Sequence, residues 1–236
     1  MKGKILVGCP TCDLYEYVLD DYAKAVKKLQ GPSYDVVLVD NSKDDDFLEK
    51  IRLKGIYAMK IPYAESAKER IMQSRNRLRK KVLEEGYEWF FSLEMDVMPP
   101  PDVLERLLKW KEKIVGGLYY TRQLDEKNQV KLLPVVQCFV EEKKWDKLRY
   151  PNEEDLKSGK PFTVAYAGLG CLFIHRSVLK KIEFRYKKTS DGEGGFDDVW
   201  FGFDAWRAGF KVMLDPTVKC EHLIEKRPWK WSEIQK

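Results

Sequence analysis

An α/β domain on a mostly parallel central sheet, with helices on both faces, is the fold this sequence predicts. Three observations carry that expectation. Short apolar runs alternate with segments of helical period from the first residues onward. Some runs are apolar at every position, as in Val36-Val37-Leu38-Val39, which is the pattern of strands covered on both faces. No Pro/Gly/Ser-rich linker divides the chain, and 236 residues suit one large domain with a sizeable core.

The elements follow in order. Ile5-Leu6-Val7 forms a first strand, and Leu19, Tyr22, Ala23, Val26 and Leu29 fall near helical spacing within a helix over 15–29. Val36 to Val39 is the second strand, Phe47 to Lys54 a short helix, and Tyr57 to Ile61 a third strand ended by Pro62. Ser66 to Glu85 is a long basic helix stopped at Gly86. Trp89 to Leu93 is the fourth strand, the three prolines at 99–101 open a helix to about Trp110, and Ile114 to Leu118 is the fifth strand. Beyond that, Leu132 to Val140, Phe162 to Tyr166, Cys171 to Ile174 and Val212 to Leu214 read as strands. A helix capped by Ser177 and a helix from Asp198 to Ala208, stopped by Gly209, lie between the last of these. Residues 191–195, Asp-Gly-Glu-Gly-Gly, read as a lid.

Composition narrows the function. Hydrophobic residues make up 44% and charged residues 34%, which excludes a disordered chain. The net charge of +5, from 43 basic and 38 acidic residues, is too dilute for a nucleic-acid surface, so no nucleic-acid partner is expected. No apolar run reaches the roughly 20 residues of a membrane span. Met1-Lys2-Gly3-Lys4 runs straight into a strand without a cleavage signal, which points to a cytoplasmic protein. Five scattered cysteines make no disulfide framework, but Cys9-Pro-Thr-Cys12 after a strand keeps a thiol–disulfide oxidoreductase in view.

Ligands of such sheets bind beyond the carboxyl ends of the strands. That rule selects Cys9 to Asp13, Asp40 to Ser42, Pro62 to Ser66 and Glu94 to Met98. The sharpest segment is Ser92-Leu93-Glu94-Met95-Asp96. Alternate residues of an extended chain point the same way, so Glu94 and Asp96 are expected to share one site. A divalent cation such as Mg²⁺ or Mn²⁺ relieves the repulsion of two such carboxylates. The plainer alternative is two acids opening a solvated loop.

Five motifs occur in order. They are Pro10-Thr11-Cys12-Asp13, Val39-Asp40-Asn41-Ser42, Ser74-Arg75-Asn76, Glu94-Met95-Asp96, and Asp197-Asp198 followed by Arg207-Ala208-Gly209-Phe210. Over about residues 4 to 222 this series resembles the inverting glycosyltransferases of the A-type fold, the family 2 enzymes that include cellulose, chitin and hyaluronan synthases. Those enzymes carry P-T-Y-N, V-D-D-G-S, A-R-N, D-x-D and E-D with R-A-G-Y in the same order. The resemblance implies a single catalytic domain over residues 1–224, with a nucleotide-binding half to 118, an acceptor-side half from 119, and a basic aromatic tail at 225–236.

The resemblance also implies roles. Asp40 accepts from the nucleotide base, with Thr11, Asp13 and Asn41 in the same pocket. Arg75 contacts the base or diphosphate, where a fixed guanidinium suits planar or anionic groups. Asp96 and His222 ligate Mn²⁺ or Mg²⁺, and Glu94 reaches the ribose, donor sugar or metal. Asp198 is the general base that deprotonates an acceptor hydroxyl for in-line attack. The donor would be a UDP- or GDP-sugar, and the acceptor a glycan, lipid-linked or protein hydroxyl.

Simpler readings stand beside these. Asp13 and Asp40 could cap helices, Arg75 could lie on a solvated face, and Asp197 and Asp198 could only complement a helix dipole. A lone His222 could be structural, and His175 beside Arg176 is read that way. Trp200, Phe201, Phe203 and Trp206 fall at helical spacing and read mostly as core, with Trp200 able to stack on a sugar. The family's Q-x-x-R-W motif and membrane helices are missing, which implies a non-processive enzyme. Glu94 stands where an Asp is usual, Asn41-Ser42 lacks the glycine of D-G-S, and Asp204 falls where a basic residue is common. A nucleotide-sugar-binding protein without turnover is the non-enzymatic alternative. Arg227-Pro-Trp-Lys-Trp-Ser in the tail could rest on an anionic membrane at the inner face.

Overall fold

A computed structural model describes residues 4–124, 129–142, 144–186 and 196–224. The expected lid at 191–195 and the basic aromatic tail lie outside the described residues.

The strands are β1 (Ile5–Thr11), β2 (Tyr34–Asp40), β3 (Tyr57–Lys60), β4 (Trp89–Leu93), β5 (Val97–Met98), β6 (Ile114–Leu118), β7 (Tyr120–Leu124), β8 (Val130–Pro134), β9 (Val136–Phe139), β10 (Leu148–Arg149), β11 (Phe162–Val164), β12 (Tyr166–Ala167), β13 (Cys171–His175), β14 (Val212–Lys219) and β15 (Glu221–His222). The α-helices are α1 (Leu19–Lys27), α2 (Asp46–Leu53), α3 (Ala67–Glu84), α4 (Val103–Leu108), α5 (Glu153–Lys157), α6 (Arg176–Leu179) and α7 (Asp197–Arg207). Eight strands form one sheet in the order β11-β14-β6-β13-β4-β1-β2-β3. β4, β1, β2 and β3 run parallel to one another, and β6 runs parallel to β14.

Strand alternation explains the layers. Ile5, Val7 and Cys9 of β1 face one apolar cluster, closed by Tyr22 and Val26 of α1, Ile51 of α2 and Leu107 of α4. Leu6 faces the other, closed by Leu78 and Val82 of α3, Val178 of α6 and Phe201 and Ala205 of α7. Gly8 shares that second face. A Cβ there would sit 2.0 Å from the Val37 carbonyl oxygen, so only glycine lets β1 and β2 stay in register.

The sheet is mostly parallel, as expected, with β13 antiparallel between β4 and β6 and β11 antiparallel to β14. Several element boundaries need correction. The expected strand 132–140 breaks at Val135, whose N–H leaves the ladder for the Tyr119 carbonyl at 3.0 Å. Phe162 to Tyr166 breaks likewise at Ala165, which donates to Gln137. The first helix opens as a 3₁₀ turn over Asp13–Val18. His175, not Ser177, caps α6, its ring Nδ1 accepting from the Ser177 N–H at 3.1 Å. Ser66 does cap α3, and Gly86 ends it with φ of 79°. Among the described residues no helix is long and apolar enough to cross a membrane.

Candidate active site

The cleft opens at the carboxyl ends of β1, β2 and β4, and α7 closes its far side. One part has a volume of about 160 Å³ and is walled by Thr11, Cys12, Tyr15, Asn41, Arg70 and Arg75. Its neighbour, about 180 Å³, is walled by Tyr119, Asp197, Asp198 and His222. Ile71, Arg75 and Glu94 border both, so the two are continuous.

Glu94 and Asp96 leave β4 in a turn, not an extended run: the Val97 N–H donates to the Glu94 carbonyl at 3.0 Å. The two carboxylates therefore diverge, against the expectation of a shared i, i+2 site. Glu94 accepts from Arg75 Nη2 at 2.5 Å, while Asp96 Oδ2 lies 3.1 Å from His222 Nε2. The short β5–β15 ladder explains the second contact, since it sets His222 opposite Val97, next in chain to Asp96.

His222 is held at both nitrogens. Nδ1 lies 2.8 Å from the Tyr120 carbonyl, which can only accept, so Nδ1 carries the proton. In the neutral ring Nε2 then presents a lone pair to a carboxylate, an arrangement that a proton or a cation between them relieves. Asp96 Oδ1 is buried without a hydrogen-bond partner. An orphaned oxygen beside an oriented imidazole is a donor set suited to a divalent cation. Among the described residues no three His, Cys, Asp or Glu side chains are gathered to hold an ion by themselves, and Glu94 is engaged elsewhere.

Arg75 of α3 occupies the centre. Its Nε donates to Asp197 at 2.5 Å, Nη1 to Ser92 Oγ at 2.8 Å and Nη2 to Glu94. Its side chain is only 3% exposed, against the alternative of a solvated face. Burial alone would lower the guanidinium pKa, but Asp197 and Glu94 on either side reverse that and hold it protonated. Burial pushes the Glu94 carboxyl up, with Arg75 opposing. This buried strut ties α3, the end of β4 and the start of α7 together.

Asp198 follows Asp197 in the first turn of α7. Burial, then the Asp197 charge, pushes its carboxyl up to about 7, while the Val199 N–H at 2.8 Å opposes. α7 can lie this close to the sheet because of Gly202, where a Cβ would fall 2.4 Å from Tyr166 Cβ.

The base-side residues separate. Thr11 and Asn41 line the cleft, Thr11 Oγ1 donating to Met95 Sδ at 2.7 Å and Asn41 Nδ2 to Ser74 at 3.2 Å. Asp40 is fully buried behind that wall. Its Oδ1 accepts the Ser42 N–H and hydroxyl at 3.0 and 2.6 Å, and its Oδ2 pairs with Lys60 at 2.7 Å. It caps no helix. Asp13 stands outside the lining residues, its backbone N–H donating to Ser42 Oγ at 2.9 Å.

Arg70, five residues before Arg75 on α3, was not singled out from the sequence. It lines the cleft, stacks 4.7 Å over the Tyr63 ring and donates to Ala64 O and Asn41 Oδ1. Its spacing of five from Arg75 is about 140° around a helix, so no shared-face signal marked it, and α3 carries many other cations. Trp200 offers no free stacking face on one side, since Arg185 covers it at 4.4 Å. Asp204 explains its own departure from the family pattern by holding that Arg185 through two bonds, at 2.6 and 2.9 Å. The Cys9–Cys12 pair is unlike a redox centre: burial pushes both thiols up, whereas such a pair needs a lowered thiol pKa.

No protein-family model and no curated protein matches the chain. Solved structures do. The chain is similar to A197 from STIV at 18% identity and a TM-score of 0.53, over 95% of this chain and 87% of that one. It is similar to the mannosyltransferase PcManGT from Pyrobaculum calidifontis, solved with GDP-Man and Mn²⁺, at 15% identity and a TM-score of 0.62, over 96% of this chain. S. aureus TarS gives 15% identity and a TM-score of 0.54 over 91% of this chain. The chain spans 59% of the mannosyltransferase and 35% of TarS. At these identities the likeness establishes the fold, which is that of glycosyltransferases, with a mixed but largely parallel central sheet.

Proposed function

We propose that this protein is a non-processive, inverting glycosyltransferase that moves a sugar from a UDP- or GDP-sugar to an acceptor hydroxyl. The observation that carries this reading is the placement of Asp198. A carboxyl with pKa about 7 faces the same cleft as Glu94, and one buried arginine, Arg75, holds both Glu94 and Asp197, the neighbour of Asp198 in the chain. A general base poised near the working pH works best when aimed at a site that holds an electrophile.

The cleft divides by role. Thr11, Asn41 and Arg70 would bind the nucleotide, with Arg70 rather than Arg75 facing the anionic part. Asp40 would act through Ser42 by shaping the wall, and Asp13 from the rim. Asp96 and His222 would hold a divalent cation, its remaining ligands being oxygens of the donor diphosphate, as the orphaned Asp96 oxygen suggests. Such an ion offsets charge on the departing diphosphate. Asp198 would accept the proton of the attacking hydroxyl, and Glu94, bound to Arg75 through Oε1 and still partly exposed, would contact the donor ribose or sugar. The mannosyltransferase neighbour, solved with a GDP-sugar and Mn²⁺, has the same fold and is consistent with this arrangement.

The test is a melting-temperature panel with UDP, GDP, CDP and dTDP, with and without Mn²⁺. A nucleotide at about 100 times its Kd stabilises by about 2.7 kcal/mol, or about 5 to 11 °C here. A metal-dependent rise with one nucleotide is expected. No rise with any of them refutes a donor site. Turnover that is undetectable while the rise persists would favour a binding protein.

A further inference from the structure

A second cavity, of about 300 Å³, lies away from that cleft on the side of β9 and β11. Phe139, Phe162 and Trp206 give it aromatic walls, and Arg149, Lys211, Glu142 and Asp155 place four charges on it. The formal charges cancel, so the pocket does not select a phosphate or any strongly anionic ligand. One ion pair among them is fixed. Arg149 Nη1 donates to Asp155 Oδ2 at 2.7 Å, and Asp155 is itself locked in the capping box that starts α5. The aromatic walls are fixed as well. The Trp206 N–H is bound to the carbonyls of Val164 and Ala165 at 3.2 Å, and Phe139 stands edge-on to Trp206 and Trp145 at 5.1 and 5.3 Å.

We infer that this cavity is a binding subsite for a neutral carbohydrate unit, and that it holds a remote sugar of the acceptor. The chemistry fits sugar more closely than the alternatives. A sugar hydroxyl donates and accepts at once, so adjacent hydroxyls match a guanidinium and a carboxylate held side by side. The apolar C–H faces of a pyranose match aromatic walls. The position fits too. Trp206 lies on α7, the helix that presents Asp198 at its other end, about 12 Å away along the axis. One acceptor touching both points must be longer than a single sugar. The acceptor role rests on the transferase reading; the carbohydrate site does not.

The experiment is a glycan array of neutral and anionic oligosaccharides on the full-length protein without nucleotide, followed by titration of the best binder. Arg149→Met and Lys211→Ala are compared with the wild type, and the nucleotide-induced melting shift is recorded on all three. Neutral oligosaccharides are expected to bind, with Arg149→Met about tenfold weaker and the nucleotide shift unchanged. Lys211, an exposed side chain, serves as the variant that keeps the fold if Arg149→Met does not. The inference is overturned if no oligosaccharide binds, if only anionic ones do, or if both variants bind like the wild type. Oligosaccharide binding that depends on Arg149, in a protein that no nucleotide stabilises, would sink the transferase reading and leave the carbohydrate site standing.

Discussion

Replacing Asp198 with Asn should remove turnover and make the protein more stable. The carboxyl is shifted from an ordinary 3.8 to about 7, chiefly by burial, so the fold prefers its protonated form. A folded-state pKa raised in this way contributes stability that is fully present below about pH 4. That contribution is lost as pH rises to 7. If solvent relaxed none of it, the gap would be worth about 4 kcal/mol. The side chain sits at the wall of an open cleft, so about 1 to 2 kcal/mol is the reasonable share. Asn stays neutral at every pH and keeps an oxygen for the Val199 N–H. The variant should therefore melt about 2 to 8 °C higher than the wild type at pH 8 and equally at pH 4. Loss of a general base should lower kcat about 10²- to 10⁴-fold with the nucleotide-induced shift retained. A variant that melts lower at pH 8, or one that turns over normally, would refute the assignment of Asp198 as a strained base.

Transferase activity should rise with pH and reach half its plateau near pH 7, because Asp198 must be ionised to accept a proton; a profile flat from pH 5 to 9 would contradict this. Arg75→Met leaves Asp197 and Glu94 buried without their cation and should cost about 3 to 5 kcal/mol, seen as a melting point about 6 to 20 °C lower. Adding Asp197→Asn to that variant should restore part of the loss. Arg70→Ala should abolish the nucleotide-induced shift while the protein alone melts within a few degrees of wild type, checked on the same instrument. Gly202→Ala forces α7 away from Tyr166 and should cost about 1 to 3 kcal/mol, with kcat falling because Asp198 moves. His222→Ala should weaken Mn²⁺ enhancement of nucleotide binding at least about tenfold, measured by titrating the metal.

Strand positions were legible because burial on both sheet faces writes itself as unbroken apolar runs, and α3 because Ser66 and Gly86 mark its ends. Strand direction was not. Nothing local in Cys171 to His175 says that β13 runs against β4; that follows from where the chain is when it arrives. Asp198, Glu94 and His222 line one cleft, yet their partners could not be read. Glu94 and Asp96 look equivalent until the turn after β4 sends one to Arg75 and the other to His222. Asp40 carried a binding motif and is fully engaged by Ser42 and Lys60, while Arg70 carried none and lines the cleft. Among so many cations on α3, only packing decides which is sealed and which is presented.

The late arrival of β13 has a consequence for biosynthesis. β4 and β6 never touch; each is bridged only by a strand synthesised after both. At about 5 to 20 residues per second, the ribosome needs roughly 4 to 16 seconds to pass from Leu93 to Cys171. Through that interval the emerging chain holds an open edge on β4 and, once it is made, a wholly unpaired β6, carrying Phe90, Phe91 and Val115, side chains that are wholly enclosed once folding ends. Nascent chains stalled before Cys171 should therefore be sticky and chaperone-bound, and those extended past Lys219, which complete β13 and β14, should not.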